Sequence, residues 1–188
     1  YTVHFVGNPM IDTLLTHRDK FNPGFLLERF GIEGDYAVAT LHRPANVDDL
    51  ETAAALVTAL EKASDIIQVV LPLHPRGRAS LYRQGLGELS NVKVVDPLGY
   101  LDFISLVSGS RAVITDSGGV QEETTILGIP CLTLRPNTER PITISHGTNK
   151  LVTAASLGGE IAAAIELDDA SAPSRRPPLW DGHAGRRI

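Results

Sequence analysis

Short β-branched runs recur along the chain with helix-like stretches between them, and this alternation restricts the architecture before any single residue does. Strand candidates are residues 36–41, 66–71, 92–95, 112–115 and 130–134, with a weaker one at 150–152. The middle runs are almost continuously apolar, as strands are when helices cover both faces of their sheet. Helix candidates fall in the gaps, at 10–17, 24–30, 48–64, 78–84, 100–108, 120–127 and 159–167. The clearest is 48–64. Its apolar stripe from Leu50 to Leu60 keeps the 3.6-residue period, Asp48 or Asp49 can cap it, and Glu51 suits the positive end of its dipole. Strands alternating with helices make βαβ units, so the expected fold is α/β: a Rossmann-like, three-layer α/β/α domain around a parallel sheet.

Composition agrees with one such domain over residues 1–188. The chain is 43% hydrophobic and 21% charged, ordinary for a globular protein and wrong for a disordered one. A net charge of −5, with no dominant Lys or Arg run, argues against a nucleic-acid or anionic-membrane binder but leaves room for a local anion pocket. The single cysteine, Cys131, excludes an internal disulfide and a cysteine-based zinc cluster, and its apolar surroundings read as a buried small side chain rather than a reactive thiol. No stretch reaches the roughly 18 apolar residues of a membrane span, and no signal segment opens the chain, which reads as cytoplasmic. It starts on Tyr1-Thr-Val-His rather than methionine, as a piece of a longer protein would. Residues 168–178 are polar and proline-rich and read as a linker. The tail 179–188 beyond it carries the only tryptophan, Trp180, which is expected either to dock on something or to fray.

In an open α/β sheet, ligands sit at the carboxyl ends of the strands, where loops enter helices. Four such loops carry polar residues that core packing does not require. In Thr115-Asp-Ser-Gly-Gly-Val-Gln-Glu-Glu123, the amides of Ser117, Gly118 and Gly119 would stand at a helix N-terminus, where the dipole favours phosphate and glycine allows close approach. A tight turn with Ser117 as helix cap accounts for the same residues. Glu123, about a turn into that helix, is placed to accept from ribose hydroxyls or to be a solvated carboxylate. His42 and Arg43 follow the first strong strand and can balance an anion or carry a proton. His74 follows the second strand, either facing a ligand or structurally satisfied. Arg140, in Thr138-Glu-Arg-Pro141, can bind phosphate or pair with Glu139. Phe103 reads as core on pattern alone. Together the four loops form a polar rim at one end of the sheet, which favours a nucleotide or nucleotide-sugar ligand.

Val6-Gly-Asn-Pro-Met-Ile-Asp12, Leu41-His-Arg-Pro-Ala-Asn-Val-Asp48, Asp116-Ser-Gly-Gly-Val-Gln-Glu-Glu123 and Thr138-Glu-Arg-Pro141 resemble the non-hydrolysing UDP-N-acetylglucosamine 2-epimerase family. The resemblance runs from Val6 almost to the end. It implies the C-terminal, UDP-binding half of a GT-B two-domain fold, with the 179–188 tail packing on an N-terminal domain, and a homodimer when the protein is full length. By the same resemblance, Ser117, Gly118 and Gly119 bind the diphosphate, Glu123 the ribose, Phe103 helps hold the uracil, and Arg140 lines the sugar-diphosphate site. His42 matches the active-site histidine, and Arg43 and His74 match a regulatory UDP-N-acetylglucosamine site of some bacterial members. Two departures stand out: the common His-Arg-Arg-Glu-Asn is here His42-Arg-Pro-Ala-Asn46, and Leu98 stands where certain members place a glutamine on the base. The implied reaction interconverts UDP-N-acetylglucosamine and UDP-N-acetylmannosamine by elimination and return of UDP, with no metal or cofactor. The carboxylates that move the C2 proton belong to the other half, so this half alone is expected to be inactive. The alternatives are a GT-B glycosyltransferase donor domain, against which Thr138-Glu-Arg-Pro141 argues, a stand-alone nucleotide-sugar-binding module, a related diacetamido-uronate substrate, and a hydrolysing epimerase.

Overall fold

The structure is a computed structural model and describes residues 2–166 and 176–188. Six parallel strands, β1 (Tyr36–Thr40), β2 (Gln68–Pro72), β3 (Val92–Val95), β4 (Ala112–Thr115), β5 (Cys131–Leu134) and β6 (Asn149–Val152), form one sheet in the order β3-β2-β1-β4-β5-β6. Strand β1 pairs on both sides, with Val38 opposite Val70 of β2 and Val113 of β4. The chain thus runs outward from β1 to one edge, returns to β4, and runs to the other edge. The β1/β4 boundary is the switch point where such sheets open a crevice beyond their carboxyl ends.

Alternation along each strand feeds two cores, one on each face. Ala37, Ala39, Val69, Leu71 and Ile114 pack with Leu60 of α4 (Leu50–Ser64), Leu81 of α5 (Pro75–Arg83) and Ile161 of α9 (Leu157–Ile165), with Val47 of the short α3 (Pro44–Val47) closing that cluster. Tyr36, Val38, Val70 and Val113 pack the opposite way. They meet Ile11 and Leu14 of α1 (Pro9–Thr16), Leu26 of α2 (Pro23–Phe30), Ile104 of α6 (Tyr100–Ser108) and Ile126 of α7 (Gly118–Leu127). Covering both faces is what the unbroken apolar strands require. Cys131 is fully buried, and burial pushes its thiol up to about 11, so it is inert.

Several helices start earlier than their apolar pattern. Proline supplies the reason, because its missing N–H costs nothing at the first helical position. Pro9, Pro23 and Pro75 open α1, α2 and α5 behind the caps Asn8, Asn22 and His74. Helix α4 starts at Leu50 behind Asp49, whose carboxylate accepts from the Thr52 amide at 2.8 Å. Leu50 does not belong to the buried stripe as expected. It is 48% exposed, since the stripe begins one turn later at Ala53. Two single-turn helices had no periodicity to betray them, α3 and α8 (Ile142–Ser145). The expected helix 159–167 appears as α9; Leu167 and most of the expected linker, 167–175, lie outside the described residues.

The tail is docked on this chain. Trp180 is buried in the second cluster. The amides of Ala184 and Gly185, which begin α10 (Ala184–Arg187), donate to the Asp12 carboxylate of α1 at 3.0 and 2.7 Å. Arg187 donates to the Val6 carbonyl. Gly7, at φ +104°, lies so close to the Leu179 carbonyl that a Cβ there would strike it. Trp180 therefore has a packing site within this chain. Among the described residues no helix is long and apolar enough to cross a membrane.

Candidate functional site

Three of the four polar loops converge at the switch point. The centre is Asp116, the residue after β4, whose carboxylate is fully buried. It accepts from the backbone amides of His42 (3.0 Å) and Arg43 (2.9 Å) and from Asn46 Nδ2 (3.1 Å), and its Oδ1 lies 2.8 Å from Nδ1 of the His42 ring. The loop after β1 is thereby folded onto the loop after β4. The His42 side chain remains 45% exposed.

The next residues make the glycine turn. The Ser117 amide donates back to Thr115 Oγ1 at 2.9 Å, and α7 begins at Gly118. Ser117 occupies the cap position without a side-chain capping bond, so the first-turn amides of α7 lack an intrahelical partner and sit at the positive end of the dipole. Arg140 crosses this turn. A Cβ added to Gly118 would collide with its guanidinium, so glycine here is a condition for the arginine's place. Arg140 is held by Glu122 (Nε to Oε1, 3.2 Å) and Glu139 (Nη1 to Oε1, 2.9 Å). Glu139 also meets Arg43 at 3.2 Å and Arg135 at 2.6 Å, and the Arg135 hydrogen bond above all draws its carboxyl down to about 2. Arg140 is therefore paired with Glu139, and it lies over the turn.

Beneath the turn runs a buried polar chain. Gln121 Nε2 donates to the Ser117 carbonyl at 3.1 Å, while Gln121 Oε1 accepts from Thr138 (2.6 Å) and from Asn149 (3.0 Å). Thr138 in turn accepts from the Arg140 amide at 3.0 Å, and Asn149 accepts from Thr133 at 2.6 Å. One amide side chain thus ties the glycine turn, the Arg140 loop and the ends of β5 and β6 together.

Glu123 is 5% exposed, not a solvated helix carboxylate. Burial, chiefly, raises its carboxyl to about 7; the hydrogen bond from Tyr100 pulls the other way, and neighbouring Glu122 adds to the rise. Tyr100, at the start of α6, is pushed up by burial and by Glu123. Phe103, one turn on, is partly buried against the second cluster. His74 stays apart. Its Nδ1 accepts from the Arg76 amide at 3.2 Å as the cap of α5, while its loop is tied to the loop after β1 through Arg76, which donates to the Asp48 carboxylate at 3.1 and 2.7 Å. A separate cleft of about 380 Å³ opens beside edge strand β3, lined by Arg29, Phe30, Arg78, Tyr82, Asp96 and Leu98 among others. Among the described residues no group of three or more His, Cys, Asp or Glu is placed to hold a metal ion.

Asp116, Gln121 and Glu122 are the site residues that sequence reasoning left without a role. Each lay inside the quoted glycine motif, but its partners come from loops far away in the chain.

Comparison with known proteins gives a consistent result. Residues 1–188 match the family described as UDP-N-acetylglucosamine 2-epimerase. A UDP-N-acetylglucosamine 2-epimerase of Methanococcus maripaludis is 34% identical over 196 residues, covering 99% of this chain and 53% of the relative. A UDP-2,3-diacetamido-2,3-dideoxy-D-glucuronate 2-epimerase of Pseudomonas aeruginosa is 46% identical over 121 residues, 64% of this chain and 34% of the relative. The crystal structure of the Methanocaldococcus jannaschii UDP-GlcNAc 2-epimerase, in complex with UDP-GlcNAc and UDP, superposes with a TM-score of 0.85 at 32% identity, covering 98% of this chain and 53% of that one. The chain spans about half the length of these full-coverage relatives.

Proposed function

From the premise that the chain belongs to the UDP-N-acetylglucosamine 2-epimerase family, we propose that it is the UDP-binding half of an epimerase that interconverts UDP-N-acetylglucosamine and UDP-N-acetylmannosamine. The observation that carries this reading is the glycine turn at the head of α7, set at the β1/β4 switch point with the Arg140 guanidinium lying across Gly118. A diphosphate suits this place on charge: first-turn amides receive its oxygens, and Arg140 and His42 flank it. Glu123 receives the ribose hydroxyls, and Phe103 supports the base.

UDP leaves across C1–C2 of the sugar, giving a bound 2-acetamidoglucal, and returns after the C2 proton has been replaced on the opposite face. This chain's part is to stabilise the leaving diphosphate with preorganised donors. The carboxylates that move the C2 proton belong to an N-terminal domain, the second partner we assign. A second copy in a homodimer and a cytoplasmic setting belong to the same reading. Arg43 and His74 are kept as the regulatory UDP-N-acetylglucosamine residues, though Arg43 already spans Asp116 and Glu139.

The Pseudomonas relative favours a second sugar, a 2,3-diacetamido uronate, in place of N-acetylglucosamine. Sugar contacts come largely from the other half, and the UDP site serves both.

Titration of the chain with UDP, followed by NMR, should shift the amides of Gly118, Gly119 and Val120 at millimolar ligand. No shift at that concentration overturns the binding claim. UDP-N-acetylglucosamine mixed with the chain alone should stay unchanged, and epimerisation there would overturn the need for the other half.

A further inference from the structure

We propose that Asp116 is a positioning residue that fixes the tautomer of His42, so that Nε2 is the ring atom offered to the ligand. The proposal rests on the reading of His42 as a phosphate-side residue of the UDP site.

The argument is one of hydrogen-bond inventory. The Asp116 carboxylate accepts, so the ring nitrogen 2.8 Å from it must be the one that carries hydrogen. In the neutral ring His42 is therefore the Nδ1–H tautomer, and Nε2 keeps the lone pair. The carboxylate itself cannot turn. Its Oδ2 is pinned by the His42 amide, the Arg43 amide and Asn46 Nδ2 at 3.0, 2.9 and 3.1 Å, and Oδ1, which shares the His42 amide at 3.3 Å, is the oxygen that faces the ring. Asn46 is held in turn by the Leu134 carbonyl at the end of β5. Because Asp116 directly precedes Ser117, the same residue sets both the histidine and the start of the phosphate-facing turn. Nε2 then accepts a hydrogen bond while the ring is neutral and donates one when it is protonated, beside a buried carboxylate that pairs with the imidazolium.

The test reads the ring directly. In the ¹⁵N-labelled 188-residue chain, at a pH where the ring is neutral, His42 should show a pyrrole-type Nδ1 and a pyridine-type Nε2. Asp116→Asn keeps the shape. Three donors hold the amide oxygen at the Oδ2 position, so the NH2 group faces the ring and the tautomer should invert to Nε2–H. A wild-type ring protonated on Nε2 overturns the proposal, and so does a folded D116N chain that keeps the Nδ1–H form. The wild-type measurement needs no variant, so a D116N chain that fails to fold still leaves a deciding result. UDP added to the wild type separates the two ideas. If no resonance moves, the UDP reading falls while the tautomer result stands; if Nε2 moves, both hold.

Discussion

At the level of single residues, Glu123 has the sharpest consequences. Its carboxyl lies at about 7 instead of 4.5, because burial outweighs the Tyr100 hydrogen bond. Between those values the folded chain keeps a proton that the unfolded chain has released. This contribution to stability is therefore complete below the unfolded value and is lost as pH rises through the folded one. Denaturant unfolding of wild type and Glu123→Gln at about pH 5 and about pH 8 should show wild type losing on the order of 3 kcal/mol more than the variant across that span. In the proposed role the ribose hydroxyls favour the ionised carboxylate, so UDP should bind more tightly above pH 7 than below it. Glu123→Ala should weaken UDP binding by about 1–3 kcal/mol in calorimetry, and unchanged affinity would remove Glu123 from the site. The glycine turn and the loops bearing His42 and Arg140 were legible in the sequence because their residue types are costly in a plain strand-to-helix connection. Asp116 and Gln121 were not. An aspartate or a glutamine beside a helix start has many local uses, and only the fold brings Asn46 or Asn149 within reach.

At the level of elements, the head of α7 depends on space as much as on charge. Gly118→Ala suits the helix better in isolation but would drive a methyl group into the Arg140 guanidinium. The variant should fold and should bind UDP about tenfold or more weakly by calorimetry, the cost of losing charged hydrogen bonds of about 1.5–3 kcal/mol. Asn149→Leu would leave the buried Thr133 hydroxyl without its acceptor and remove one of the two donors to Gln121 Oε1, and should cost about 1–3 kcal/mol, read as a lower denaturation midpoint. The six strands were readable because strands buried on both faces are almost unbroken apolar runs, and each was found within two residues of its observed ends. Helix starts were less readable. Proline, which usually interrupts, opens α1, α2, α3 and α5 here, and single-turn helices such as α8 carry too few residues for a period.

For the whole molecule, the second core is closed by a residue from the far end of the chain. Trp180 sits 5% exposed as a member of the second cluster, so Trp180→Ala should cost about 3–5 kcal/mol, a large share of a small domain's stability. As the only tryptophan, it also reports on itself: its emission should be blue-shifted when folded and should redden at the same denaturant concentration as the loss of helix signal. Reddening at lower denaturant would mean that the tail separates first. The docking has a topological consequence as well. With Gly7 against the Leu179 carbonyl and Arg187 bonded to the Val6 carbonyl, the first and last described segments lie side by side. A short peptide could join them into a ring, which could then be opened in the connection between α5 and β3. Such a circularly permuted chain would meet the same sheet order and the same two cores by a different route, with the strands around β1 entering the fold in a new sequence.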